Sequence, residues 1–306
     1  KAFTPRVVEV MRPHIQEITD ELLEALPADG SIDVVRDLAV PLPIIVIAEM
    51  LGVPPSQREQ FKAWSTDIAG ALGSSAQPQD AIGRAGRASE ELAAYFRGVI
   101  EERRQAPKDD LISGLIEARD QGDHLSEDEL VATCVLLLVA GNETTTNLVG
   151  NGMLALTDNP QQRQCLLDDP SLITTAVEEL LRFDGPVQAT SRVVIDDCEF
   201  RGKHFQKGQI AITFLGAANR DPAQFADPDN LDLARADNRH LGFGQGIHYC
   251  LGAPLARVEA QIAISSLLRR YPDLERDPAA APERGSSFIL RGLKTLPLRS
   301  KVAAAS

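Results

Sequence analysis

Apolar residues recur at helical spacing along most of this chain. Thr4-Pro5 reads as a helix start, a cap followed by proline in the first turn. Val7, Val8, Met11, Ile15, Ile18, Leu22, Leu23 and Leu26 then lie on one helical stripe. Residues 27–31 break it, and a strongly apolar stretch, 34–51, continues as helix with interruptions near Pro41 and Pro43. Two more helical patterns, 56–72 and 80–104, are joined by a Gly/Ser/Pro-rich loop, 73–78. Ser126-Glu127-Asp128-Glu129 is a capping box. The helix it opens runs over 127–156, about 45 Å at the standard rise. Its centre is apolar nearly all round, which predicts burial. A shorter helix covers 171–183. Beyond Pro186 the texture changes to short strands at 191–195, 198–200 and 209–214. Residues 221–238, rich in Asp, Pro and Asn, read as irregular coil. A last helix spans 251–271, and 288–298 reads as a terminal hairpin. No internal repeat or low-complexity linker divides the chain, so the pattern predicts one mainly α domain over 1–306 with small β-sheets.

Composition narrows the function classes. A net charge of −13 argues against a nucleic-acid partner, because phosphate binding needs clustered Lys and Arg. Cys134, Cys165, Cys198 and Cys250 are far apart and form no CxxC pair, so neither a disulfide framework nor a zinc site is expected. A reducing, cytoplasmic setting fits that usage. The longest apolar run, 131–140, is too short to cross a bilayer, and no membrane association is expected.

The densest chemical signal is Phe243-Gly244-Gln245-Gly246-Ile247-His248-Tyr249-Cys250-Leu251-Gly252. Its glycines let the backbone turn tightly and approach a bulky flat group. Cys250 precedes the last helix, whose N-terminus favours a thiolate, and His248 is placed to meet an anionic group. A buried structural cysteine is the competing reading, and it is the preferred one for Cys134, Cys165 and Cys198. The stretch resembles the haem-binding loop of the cytochrome P450 family, FGxGxHxCxG, with every fixed position present.

A second segment, Ala140-Gly141-Asn142-Glu143-Thr144-Thr145, lies in the middle of the long helix. Glycine there costs about 1 kcal/mol against alanine, which calls for a reason such as close approach of a flat cofactor. A threonine hydroxyl competes for backbone bonds, and an adjacent acid can relay protons. The segment resembles the family's oxygen-activating motif, (A/G)Gx(D/E)T(T/S), which implies Glu143 and Thr144 as the catalytic pair.

The resemblance implies more. Haem b would lie between the long central helix and the helix after the cysteine, touching Gly141, Phe243, Gly244, Gly246 and Gly252, with Cys250 on the iron. Arg192, His240 and His248 would hold the propionates. Glu179 and Arg182 match the family's ExxR pair, which Arg235 would complete, and Asn219-Arg220-Asp221-Pro222 matches a structural segment. The distal pocket would be lined by the loop 70–79, Leu137, Ala140, Val187, Gln188, Ile289 and Leu290, which suits a small hydrophobic substrate. The implied activity is monooxygenation by a monomer, with electrons from NAD(P)H through a ferredoxin-like or flavin-containing partner. A non-catalytic or peroxide-dependent haem protein with an incomplete pocket is the alternative. The resemblance runs over 1–298 and begins where the family's third major helix ends, so roughly the N-terminal quarter of a typical member has no counterpart in this sequence.

Overall fold

A computed structural model describes residues 3–71, 79–120 and 125–301. Its helices are α1 (Pro5–Glu24), α2 (Pro41–Met50), α3 (Arg58–Gly70), α4 (Gln79–Gln105), α5 (Leu111–Asp120), α6 (Glu127–Asp158), α7 (Pro160–Asp168), α8 (Ile173–Asp184), α9 (Leu215–Ala218) and α10 (Ala253–Arg270). The strands are β1 (Ser31–Asp33), β2 (Ala189–Val193), β3 (Cys198–Phe200), β4 (Lys203–Phe205), β5 (Ile210–Phe214), β6 (Glu275–Arg276), β7 (Glu283–Arg284), β8 (Leu293–Thr295) and β9 (Pro297–Arg299). The predicted mainly α architecture with small sheets is the one observed.

The long helix α6 is the axis of the molecule, with α2, α3, α4, α8 and α10 packed around it. Its start is fixed as the sequence predicts. The Ser126 hydroxyl accepts from Glu129 N at 3.2 Å, and the Glu129 carboxylate accepts from Ser126 N at 2.7 Å. Every residue from Thr145 to Leu156 is buried, whereas the apolar run before it is buried on one side only, with Leu136 64% exposed. The few polar side chains on that buried stretch tie it to its neighbours. Thr146 donates to Ala39 O at 2.9 Å, and Asn142 donates to Ser65 of α3 at 3.1 Å. Asn151 donates to Asp184 O and Arg291 O at 3.0 and 2.8 Å. Buried polar atoms that find partners cost little, and these fix how α6 is rotated about its own axis.

Two local expectations are corrected. Residues 34–51 are not one interrupted α-helix. A π-helical turn, Val35–Ala39, precedes α2, and Val40 N donates to Val35 O at 2.9 Å. Pro41 has no N–H to continue an α ladder, so the turn widens before the helix restarts on it. The terminal hairpin is also displaced. β8 pairs with β7, and β9 leaves to sit between β1 and β6. The segment 285–292 is therefore the tip of a β7–β8 hairpin, with Val187 bridged to Leu290. The strand β1 was unreadable because three residues show no period.

Candidate functional site

The cysteine loop faces the middle of α6. Gly244 and Gly246 take φ of +70° and +72°, a region that glycine enters without a Cβ clash. Gly244 N donates to Leu241 O, and Cys250 N donates to Phe243 O, both at 2.9 Å. These bonds close the loop and aim Cys250 into a cavity of about 450 Å³. Leu137, Ala140, Gly141, Thr144 and Thr145 of α6 form one wall. Phe243, Gly244, His248, Cys250 and Gly252 of the cysteine loop line the cavity as well, with Val187, Thr190 and, beside Thr145, Glu259 of α10.

The Cys250 thiol is not the spontaneously ionised group that a helix N-terminus predicts. Burial pushes its pKa up, and the Gly252 and Ala253 amides and the Arg257 charge oppose this only in part. A metal ion bound to the sulfur would displace the proton outright. Among the described residues no group of three His, Cys, Asp or Glu side chains can hold a bare metal ion. A metal at Cys250 must therefore bring its own equatorial ligands. A largely apolar cavity with glycines on both walls and one thiol fits a metal carried in a flat macrocycle, so the residues present suit haem.

Thr144 lines the cavity, and its hydroxyl donates to Ala140 O at 2.8 Å. Glu143 is mostly buried and does not line it. Burial raises its pKa, with the Asn147 amide acting in the opposite sense. Acid and alcohol are thus neighbours in sequence but occupy different sides of α6, as a helical step of one residue requires.

Of the three propionate candidates, only His248 lines the cavity. His240 is 4% exposed and engaged elsewhere. Its Nδ1 accepts from Gly242 N at 3.0 Å, which leaves the proton on Nε2 to donate to Glu178 at 2.9 Å. Arg192 is exposed and donates to Ser191 O at 2.7 Å. Among the substrate-pocket candidates, Leu137, Ala140 and Val187 reach the cavity. Gln188 turns back to Gly185 O at 2.7 Å, while Ile289 and Leu290 meet residues 187–188 through backbone contacts and stay outside the lining. Gly246 shapes the loop without lining the cavity, and residues 72–78 of the expected 70–79 loop lie outside the described residues.

Glu179 and Arg182 are both fully buried on α8 and bond in a fork at 2.7 and 2.8 Å. Arg182 also donates to the carbonyls of Asn219, Pro228 and Asn230. Arg235 reaches Glu179 at 3.1 Å. The chain of support extends to the cysteine loop, since Asn219 Oδ1 accepts from Leu241 N at 2.7 Å.

A buried carboxylate in the cavity lining escaped the sequence reading. Glu259 is 2% exposed, faces the cavity from α10 and leaves Oε1 without a partner. Burial pushes its pKa up to about 8, against a Thr145 contact that lowers it. Its signal was present: it follows Leu255 by four positions and precedes Ala263 by four, which puts a carboxylate on an apolar helix face.

The family model described as Cytochrome P450 matches residues 77–291. Cytochrome P450 CYP107DY1 of Priestia megaterium is 44% identical over 97% of this chain and 72% of its own length. Cytochrome P450 monooxygenase PikC of Streptomyces venezuelae is 42% identical over 98% of this chain and 71% of its own. The crystal structure of CYP109E1 from Bacillus megaterium in complex with testosterone superposes with a TM-score of 0.93 at 40% identity, covering 98% of this chain and 79% of that one.

Proposed function

The chain belongs to the cytochrome P450 family of haem-dependent monooxygenases, and from that premise we propose that Cys250 is its haem ligand and that it places one oxygen atom from dioxygen into a small hydrophobic molecule. The observation that carries the reading is the cavity with the Cys250 thiol on one wall and Gly141 and Thr144 on the other. Bound there, haem b supplies dioxygen binding and its reductive activation. Electrons come from NAD(P)H through a ferredoxin-like or flavin-containing partner.

The chain's own residues bind, orient and protonate. Gly141, Gly244 and Gly252 let the walls approach a flat ring, Phe243 packs beside the thiolate, and His248 meets the anionic edge of the macrocycle. Thr144 Oγ1, while donating to Ala140 O, keeps lone pairs free to accept a bond within the cavity. Glu143 is the acid of the relay, and burial raises its pKa above the ordinary carboxylate value. Delivery requires its side chain to swing towards Thr144. Leu137, Ala140 and Val187 offer apolar contact to substrate. The related CYP109E1, solved with testosterone, supports a substrate of that hydrophobic kind.

Haem is added to the purified chain, reduced and exposed to carbon monoxide. A thiolate-type Soret band is expected for the wild type and its loss for Cys250→Ser. Wild type without that band overturns the assignment of Cys250. Thr144→Ala is expected to raise electron consumption per product formed, and unchanged coupling removes the threonine from the relay.

A further inference from the structure

Behind the cysteine loop lies an ion cluster that the reaction scheme above does not use. Arg257 of α10 forks onto Glu178 of α8 at 2.6 and 2.8 Å. The same carboxylate accepts from His240 at 2.9 Å. The guanidinium also donates to the Tyr249 hydroxyl at 3.1 Å and lies 4.5 Å from the centre of the Phe243 ring. Phe243 and Tyr249 are the residues that hold Cys250, one through its carbonyl and one as its chain neighbour.

The bonds within the cluster favour its charged forms. Burial pushes the Glu178 carboxyl up, but the bonds from Arg257 and His240 outweigh it and hold the pKa at about 2. Arg257 is held above the usual arginine range by the same fork. Its charge is felt at the Cys250 sulfur. A fork fixed at both ends costs no reorganisation when charge changes nearby.

We propose that Arg257 is a positioning residue for electron transfer, a fixed cation behind the thiolate that raises the reduction potential of the bound haem. The inference rests on Cys250 being the ligand. One electron passes from the reduced partner to ferric haem, and no bond forms or breaks. The haem–thiolate unit becomes more negative by one charge, which a nearby cation stabilises and a nearby carboxylate opposes. Glu178 has two opposed effects here: it orients Arg257 and partly cancels its field.

The test is a spectroelectrochemical titration of the haem-loaded protein, with the reduced carbon monoxide spectrum recorded on each variant. Arg257→Gln is expected to lower the midpoint potential, Arg257→Lys to restore most of the difference, and Glu178→Gln to raise it. A purely structural cluster would shift Arg257→Gln and Glu178→Gln in the same direction, because either change breaks the fork. Equal or same-sign shifts with the thiolate-type band intact overturn the proposal. If Arg257→Gln loses the band, Glu178→Gln decides alone: a higher potential supports the proposal, and an unchanged or lower one overturns it. A wild type lacking the band defeats the Cys250 assignment, a separate failure from any pattern among the variants.

Discussion

Replacing Glu259 with glutamine should remove a specific pH dependence from the stability of this protein. The carboxyl is buried on α10 with Oε1 unpartnered, and its folded pKa is about 8 against an ordinary 4.5. Between those values the folded chain holds a proton that the unfolded chain has released. The stability linked to this proton is complete below pH 4.5 and falls as the pH rises through 8. The gap is about 3.5 pH units at ~1.4 kcal/mol each, so the loss approaches about 5 kcal/mol. Water entering the cavity beside Glu259 makes this an upper bound. Glutamine keeps the shape and an acceptor for Thr145 but has no proton to lose. Thermal unfolding followed by circular dichroism from about pH 5 to about pH 9 should show converging curves in acid. In base the variant should melt higher, by up to roughly 10 °C at about 2 °C per kcal/mol for a chain of this size. Parallel pH profiles for the two proteins would refute the reasoning.

Three further substitutions test other parts of the structure. Arg182→Met takes the forked donor from Glu179, leaving it Arg235, Asp232 N and Asn238, and removes a donor from three backbone carbonyls, which should cost about 3–5 kcal/mol; a melting temperature within a degree or two of wild type contradicts the role given to the fork. Gly292→Ala would place a Cβ 1.8 Å from Asn147 Oδ1, and relieving that clash should destabilise by about 1–3 kcal/mol in urea unfolding; an unchanged midpoint would show that the Asn147 amide yields freely. Gly141→Ala should stabilise the haem-free chain by up to about 1 kcal/mol, since its Cβ meets nothing nearer than Ile47 at 3.7 Å, yet weaken haem uptake because it projects from the cavity wall. Uptake equal to wild type argues that Gly141 does not face the ring.

The parts of this structure that were legible in the sequence share a physical property: each is set by residues close together in the chain. The capping box of α6, the all-round apolarity behind it and the glycine pattern of the cysteine loop are local. The partner of His240 is not local: Glu178, sixty-two positions earlier, lies beside it. Arg192 and Gln188 bond to backbone oxygens near them in the chain, Ser191 O and Gly185 O, a choice of rotamer that residue type does not reveal. The thiol of Cys250 shows the same limit in energetic form. The helix N-terminus was readable, but the desolvation that outweighs it depends on the segments that close around the sulfur. Glu259 was detectable as a charge on an apolar face, while the cavity it faces was not.

Arg182 grips residues 219–230 by three carbonyls, and its guanidinium lies 5.3 Å from the centre of the Phe225 ring. Asn219 and Phe225 are held by their side chains as well, whereas a position read only through its main chain carries almost no instruction about which amino acid it must be. The exposed positions beside them, such as Ala223 and Gln224, are thereby freed to drift while the fork on Glu179 stays constant.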